Sequence, residues 1–324
     1  MQADRRRINA PAGGTAAPIF TLAGNEGLLK RPTRSRRADE HRKIFLRTGV
    51  VPSASGSAYY EVPPQNVQDQ RTSLVPSSSN LKITCTVHGP RPLPRNAAFS
   101  PNLLLATHVK FAPFATRERR GYVRDASERD LGVHLETALR GVVIGERWPK
   151  SGCEVVITVL EGEEDGWWGD RQGREKSGGW GMMSVLAGCI TVASAALVDA
   201  GIDCVDLVSG GVAAVVRESP ETQGEVVLDP CPSEHDMSAA CVVGYLQSRD
   251  EVTEIWMKGS AGGEAENLVD QAVKAASMTR TVLAEALKEA TELKFGGEAE
   301  AGEMNGEAKN AVNKGKGKDI AMTG

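Results

Sequence analysis

Apolar and polar positions along this chain repeat with two periods, one of two residues and one close to 3.6. The clearest alternation covers residues 81–88, where apolar side chains from Leu81 to Val87 occupy every second position. Such alternation predicts a half-buried β-strand. Short runs rich in β-branched residues predict further strands. They cover residues 44–51, 58–62, 153–160, 204–216, 225–229, 239–246 and 251–258, and one more strand begins at Val109.

The longest apolar run, residues 182–201, predicts a helix that is buried on nearly every side. It carries no charge before Asp199, and it is rich in Ala, Gly and Ser, which let neighbouring backbones approach closely. A membrane span of roughly 20 residues is the competing interpretation. The Gly and Ser content and the absence of basic flanks favour a buried core helix instead.

Two further helices are predicted between and after the strands. Leu131, Leu135 and Leu139 recur at helical spacing after a capping-box-like start at Ser127. His134 lies between apolar neighbours on this helix, so we interpret it as a structural histidine rather than a base. A last amphipathic helix covers about residues 265–295. Packed as layers around the central buried helix, these elements predict an α+β fold.

Composition divides the chain into a folded domain, two insertions and two tails. Residues 1–43 are predicted to be a basic disordered arm, and residues 296–324 a disordered low-complexity tail. The arm either contacts RNA, carries a nuclear localisation signal or only aids solubility; three prolines disfavour a mitochondrial presequence. Residues 44–295 form the domain, interrupted by a Pro-rich insertion at about 63–80 and a Trp-rich one at about 161–181. The exposed tryptophans either anchor a partner, stack on a base or pack onto their own domain.

Charge and cysteine content exclude some function classes. The net charge of −4 argues against a chain that binds nucleic acid over its whole surface, although arginines are concentrated before residue 125. The six cysteines show no CxxC spacing and lie within apolar runs, as is typical of reduced core thiols in an intracellular protein. Glu234, His235 and Asp236 are adjacent, but consecutive side chains diverge, so they are a weak metal signal. We expect no metal and no cofactor.

Several motifs resemble the ribonuclease PH family. Residues 190–201, Ile-Thr-Val-Ala-Ser-Ala-Ala-Leu-Val-Asp-Ala-Gly, are similar to the family's central helix, and residues 138–143, Ala-Leu-Arg-Gly-Val-Val, to a second helix. Gly56-Ser-Ala and Gly89-Pro-Arg resemble the two ends of its first hairpin. The resemblance covers about residues 44–295. It implies an RNase PH-like fold, that is, two layers of βαβα units like those of ribosomal protein S5 domain 2.

The resemblance also implies that the phosphorolytic site is degenerate. In active members an Asp-Gly-Gly-Thr-Arg sequence precedes the central helix, and its Thr and Arg hold phosphate. Ungapped alignment places the last three of these positions on Ser184, Val185 and Leu186, and a second phosphate-binding arginine on Ser127, with Arg124 close but off register. Asp229 matches a family Leu-Asp pair, while the next family aspartate falls on Cys231. We therefore expect no catalytic residues.

The pattern resembles the RNase PH-like subunits of the eukaryotic RNA exosome ring. That family implies a non-catalytic ring subunit, head-to-tail neighbours in a hetero-hexamer, RNA-binding cap proteins, and a location in nucleus, nucleolus and cytoplasm. No membrane is expected. Strands 205–216 and 241–246 are apolar on both faces, so we expect ring neighbours to cover such surface. The alternative functions are an active phosphate-dependent 3′–5′ exoribonuclease and an unrelated binding protein on the same fold.

Arginines supply the candidate RNA contacts. Guanidinium groups fit phosphate oxygens and release counterions on binding. The alternative is a solvated charged loop or a subunit contact. The candidate RNA-binding residues are Arg91, Arg95, Arg117, Arg119 and Arg120.

Overall fold

The computed structural model describes residues 33–63, 80–117, 119–166, 179–216 and 224–316, with side chains described as far as residue 294. Nine strands and three α-helices lie in this part of the chain. The strands are β1 Phe45–Thr48, β2 Gly56–Val62, β3 Leu81–Pro92, β4 Leu104–Phe111, β5 Ser151–Glu161, β6 Val208–Val216, β7 Glu225–Leu228, β8 Met237–Leu246 and β9 Glu251–Gly259. The helices are α1 Ala126–Arg140, α2 Gly181–Asp199 and α3 Ala265–Lys316.

The strands form two sheets. The first has the order β1-β2-β3-β5-β4 and the second the order β7-β6-β8-β9. Strands β4 and β5 are parallel, and every other pair is antiparallel. Parallel neighbours need a long crossover, and α1 supplies it. This helix packs on β4, where the Thr107 hydroxyl donates to the Gly132 carbonyl at 2.7 Å.

Helix α2 lies between the two sheets, and small residues allow the close approach. A Cβ on Gly188 would stand 2.8 Å from Ile83 in the first sheet. A Cβ on Gly210, in the second sheet, would stand 2.2 Å from the Ala187 carbonyl oxygen of the helix. Helix α2 is long and apolar enough to cross a membrane, but 89% of its 18-residue apolar stretch is buried inside the protein. The predicted buried helix is therefore confirmed.

Helix α3 covers the opposite face of the second sheet. A Cβ on Gly211 would stand 2.2 Å from the Ala272 carbonyl oxygen, and the Ser209 hydroxyl donates to the Ala276 carbonyl at 2.8 Å. Strand β6 is consequently buried at every position. The expectation that ring neighbours cover its second face is wrong, because α2 and α3 of the same chain cover the two faces.

The structure changes the limits of the predicted domain. Residues 33–43 belong to the folded part, since Arg36 and Arg42 are 6% exposed and form ion pairs there, so the arm does not extend to residue 43. Helix α3 continues to Lys316, where a tail from residue 296 was expected. Most of the two predicted insertions, residues 64–79 and 167–178, and the first 32 residues lie outside the described residues.

Candidate functional site

The start of α2 is where the sequence places the degenerate phosphate site. Val185 and Leu186 are 0% exposed, and Ser184 is 5% exposed. Val185 and Leu186 belong to the hydrophobic core between the sheets. Side chains in these positions are turned away from solvent and cannot contact a phosphate from solution. The position expected to lack the phosphate-binding arginine therefore carries a buried apolar side chain.

An internal carboxylate occupies the N-terminus of α2. Asp165 accepts hydrogen bonds from the Gly181 N–H at 2.9 Å and from the Gly179 N–H at 3.0 Å. Helix N-termini attract anions because their first N–H groups lack partners and the helix dipole is positive there. In this chain Asp165 satisfies that preference itself. Sequence reasoning missed this residue, since a single acid in a Gly-rich insertion has no diagnostic spacing.

Ser127, aligned with the second phosphate-binding arginine, has a structural role beside the start of α1. Its hydroxyl donates to Asp125 Oδ1 at 2.8 Å, and Asp125 caps the helix by accepting from the Glu128 N–H at 2.9 Å. The capping box therefore begins at Asp125 and not at Ser127 as predicted. Burial raises the pKa of Asp125, but the Glu128 and Ser127 hydrogen bonds and the Arg120 charge outweigh it and leave this pKa below its ordinary value.

The five candidate RNA-binding arginines do not form one patch. Arg91 pairs in register with Gly152, whereas the loop that carries Arg117 follows Phe111, which pairs with Val159. Seven residues of extended β5 separate these two levels, or about 23 Å. Arg91 and Arg95 are both exposed and belong to one end of the first sheet. The other three arginines lie beyond its opposite end.

In and beside the loop that carries Arg117, Arg119 and Arg120, acidic side chains form ion pairs or hydrogen bonds with some of the basic residues. Arg120 forms an ion pair with Asp125 at 3.1 Å and lies 4.2 Å from the centroid of the Phe111 ring. The Arg117 backbone N–H donates to Glu164. Lys110 forms an ion pair with Glu128 at 2.9 Å. Arg119 is exposed, as is Arg124, which donates to His108 Nδ1 at 2.7 Å.

A buried ionic cluster joins residues 33–43 to the end of β7. Arg42 contacts both Asp229 and Glu163 at 2.8 Å. Arg36 contacts Asp229 and Glu234, each at 3.1 Å. Burial raises the pKa of Asp229, but the charges of Arg42, His41 and Arg36 outweigh it and hold this pKa well below its ordinary value. We call Arg36, Arg42, Glu163, Asp229 and Glu234 the Asp229 cluster.

The Asp229 cluster is centred on Asp229, which aligns with the family's Leu-Asp pair. Its carboxylates are bound by guanidinium groups, and among the described residues no group of three or more His, Cys, Asp and Glu side chains is placed to hold a metal ion. Burial raises the pKa of Cys231, which replaces a family aspartate, to about 12, so this thiol stays neutral. The ion pairs of the cluster connect Arg36 and Arg42 to three acids that are distant in sequence, so its role is structural.

His134 is a structural residue, as the sequence predicted. Its Nδ1 lies 2.7 Å from Glu254 Oε1, and its ring stacks on Trp256 with centroids 4.9 Å apart. Both partners belong to β9, so His134 fastens α1 to the second sheet. Trp180, from the predicted Trp-rich insertion, lies before α2 with the Lys258 amine 5.8 Å from its ring. Trp167 and Trp168 lie outside the described residues.

The fold and the position of this site define a class of protein. The chain belongs to the RNase PH, or 3′ exoribonuclease, family, whose domain 1 model matches residues 40–203. It is 51% identical over 291 residues to exosome complex component MTR3 of Chaetomium thermophilum, covering 88% of this chain and 98% of the relative. It is 31% identical over 288 residues to exosome complex component mtr3 of Schizosaccharomyces pombe, covering 88% and 95% of the two chains. The family predicted from the sequence is confirmed. Among the exosome ring subunits, the sequence motifs resemble in particular the one named mRNA transport regulator three (MTR3), and these two relatives confirm that resemblance.

A solved structure independently supports the fold. The crystal structure of rice (Oryza sativa) Rrp46 superposes with a TM-score of 0.59 over 78% of this chain and 98% of that one, at 17% sequence identity. At this identity the likeness concerns the fold alone. The predicted α+β, RNase PH-like fold is therefore confirmed.

Proposed function

We propose that this chain is a non-catalytic structural subunit of the RNA exosome core ring, where it helps to form the RNA channel for 3′–5′ processing and decay of rRNA, snRNA and mRNA. The proposal that the subunit is non-catalytic rests on the geometry at the start of α2. Asp165 fills the anion position there, and Leu186, buried in the core, replaces the arginine of active relatives.

Phosphorolysis makes chemical demands that this site does not meet. The enzyme must hold inorganic phosphate and stabilise the charge that develops at the scissile phosphate, with arginines, backbone N–H groups or a metal ion. Here Asp165 accepts from the N–H groups of Gly181 and Gly179, and a carboxylate there repels phosphate. The Asp229 carboxylate is already bound by Arg36 and Arg42. Both features support a subunit that shapes a complex rather than cleaves RNA.

The names of the relatives support the assembly. Proteins of 51% and 31% identity are called exosome complex components. We infer that this chain contacts other RNase PH-like subunits head to tail, supports RNA-binding cap proteins and contacts RNA. From the resemblance of the sequence motifs to exosome ring subunits, we also propose that the chain is located in nucleus, nucleolus and cytoplasm, which imaging of a tagged chain tests.

Co-purification and an activity assay test this proposal together. The full-length chain is co-expressed with RNase PH-like subunits of its own organism, and the complex is isolated by size-exclusion chromatography with light scattering. The chain expressed alone, given single-stranded RNA, phosphate and Mg²⁺, should release no nucleoside diphosphate. A chain that ignores every such subunit contradicts the ring assignment. Phosphorolysis that persists after rigorous purification contradicts the non-catalytic role and supports the alternative, an active exoribonuclease.

A further inference from the structure

Residues 162–165, directly after β5, contact three parts of the domain that are distant from one another in sequence. We call these four residues the hub segment. The three parts are residues 33–43, the loop between β4 and α1 (residues 112–117 and 119–125) and the start of α2. Each residue of the hub segment makes a hydrogen bond to one of them. The hub segment is therefore where these three parts of the chain meet.

Glu163 connects the hub segment to residues 33–43. Its side chain is 0% exposed, and Arg42 donates to both carboxylate oxygens, from Nη1 at 2.8 Å and from Nη2 at 3.1 Å. Arg42 also donates to Asp229, so it is held from two sides. A buried carboxylate that loses its cation is strongly destabilised, because its own desolvation is no longer compensated. The position of Glu163 thus depends on residues 33–43.

The residues on either side of this buried carboxylate hold the loop between β4 and α1. The Gly162 N–H donates to the Ala115 carbonyl at 2.8 Å, and the Arg117 N–H donates to Glu164 Oε1. Packing at this point is close, since a Cβ on Gly162 would stand 2.9 Å from the Phe111 ring. A shift of the hub segment would consequently change the contacts of the loop.

The last residue of the hub segment holds the start of α2. Asp165 accepts from the N–H groups of Gly179 and Gly181. The backbones are also in direct contact, because a Cβ on Gly181 would stand 2.2 Å from the Glu163 carbonyl oxygen. The first turn of α2 therefore lies against the hub segment and depends on its position.

We propose that the hub segment couples residues 33–43 to the loop between β4 and α1 and to the start of α2, so that displacement of residues 33–43 loosens both. The buried ion pair between Arg42 and Glu163 is the connection. Consecutive Cα atoms are held about 3.8 Å apart, so Glu163 cannot leave its position while its neighbours keep theirs. The inference rests on contacts within this chain and goes beyond the proposed function.

Amide hydrogen exchange of the full-length chain, measured residue by residue by NMR, tests the coupling. Exchange reports local opening of the structure, which differs from one region to another. The reporters are the amides of Arg117 and Gly181, whose N–H groups donate to Glu164 and Asp165. The amides of β3, which lies in the middle of the first sheet, serve as the reference.

Arg42→Ala is the main variant, and Arg36→Ala is its matched control. Both remove a buried cation from residues 33–43, and both weaken the hold on Asp229. Arg42→Ala in addition removes the two guanidinium hydrogen bonds to Glu163. A difference between the two variants therefore reports on Glu163 and not on a general loss of stability. Glu163→Gln, which keeps the shape of the side chain and removes its charge, is the milder variant if Arg42→Ala does not fold.

The main variant should open the loop and the helix start selectively. Relative to the β3 amides, the amides of Arg117 and Gly181 should exchange about tenfold faster in Arg42→Ala than in Arg36→Ala, a change within the range for directly coupled neighbours. Glu163→Gln should change both reporters in the same direction relative to the wild type, because its neutral amide binds Arg42 less strongly than a carboxylate does.

A double-mutant cycle tests whether the contacts of the hub segment act as one unit. Glu164→Ala removes the acceptor of the Arg117 N–H. If the hub segment moves as a unit, Arg42→Ala has already released it. The accelerations of Gly181 exchange in the two single variants should then not multiply in the double variant.

Two results overturn the inference. One is equal exchange of the Arg117 and Gly181 amides in Arg42→Ala and Arg36→Ala or, where Arg42→Ala does not fold, in Glu163→Gln and the wild type. The other is full multiplication of the effects in the double variant, which makes the contacts independent. Both outcomes are read from amides of this chain alone, so they are distinct from a failure to join RNase PH-like subunits, which counts against the proposed function.

Discussion

Arg42 grips Asp229 with two side-chain nitrogens: Nε donates to Oδ2 and Nη2 to Oδ1, each at 2.8 Å. The Arg42 backbone N–H adds a third hydrogen bond at 2.9 Å. Planar forks of this kind are among the strongest ion pairs in proteins. The two residues are 187 positions apart in sequence, so the contact ties residues 33–43 to the second sheet.

The first prediction concerns Asp229→Asn. Removing one charge from a buried cluster leaves guanidinium groups without compensation, so the free energy of unfolding should fall by about 3–5 kcal/mol. Urea denaturation followed by circular dichroism measures it. Asp39→Asn is the matched control, because Asp39 forms its ion pair with Arg37 at the surface. A loss no larger than that of the control would show that the Asp229 cluster contributes little to stability.

Asp229 also predicts how the stability of the folded protein decreases at low pH. The pKa of Asp229 is held well below its ordinary value in the folded protein. Its contribution is therefore present above the unfolded-state pKa, about 3.9, and is lost as pH falls through the lower folded-state value. Urea midpoints measured from pH 7 downwards should drop below about pH 4. In Asp229→Asn this component of the drop should be absent, and a curve that parallels the wild type over that range would contradict the assignment.

The variant Gly210→Ala tests the close packing of α2 against the second sheet. The Cβ of Gly210→Ala would meet the Ala187 carbonyl oxygen at 2.2 Å, so the helix and strand must separate. We expect thermal unfolding to show a loss of about 2–3 kcal/mol, as for other overpacked cores. Gly263→Ala is the control, since nothing lies within 4 Å of the added carbon. Equal melting temperatures for the two variants would argue against the packing described for α2.

The variant Asp165→Ala tests whether the Asp165 carboxylate occupies the anion position at the N-terminus of α2. Asp165→Ala removes the acceptor for Gly181 N–H and should cost about 1 kcal/mol, as for other helix caps. Inorganic phosphate should leave the melting temperature of the wild type unchanged, because the anion position is already filled. Phosphate added to the variant should raise its melting temperature more than chloride of equal ionic strength does. A phosphate-dependent rise in the wild type itself would show that Asp165 does not block the site.

The sequence by itself determined most of the elements of this protein. Alternation identified β3, the apolar run identified α2, and motifs such as residues 190–201 identified the family. These features are local, because side-chain direction repeats every two residues in a strand and every 3.6 in a helix. The resemblance to the family likewise rests on one short stretch, and it aligns Leu186 with the phosphate-binding arginine of active members.

The tertiary structure decided what each buried face touches. A run apolar on both faces shows that β6 is covered twice, but not that α2 and α3 provide the cover. Arg42 looked like part of a solvated tail, and Asp165 like one more acid in a loop. Their roles depend on partners brought close by folding, and the energy of an ion pair or a helix cap depends on distance and burial, which sequence spacing does not encode.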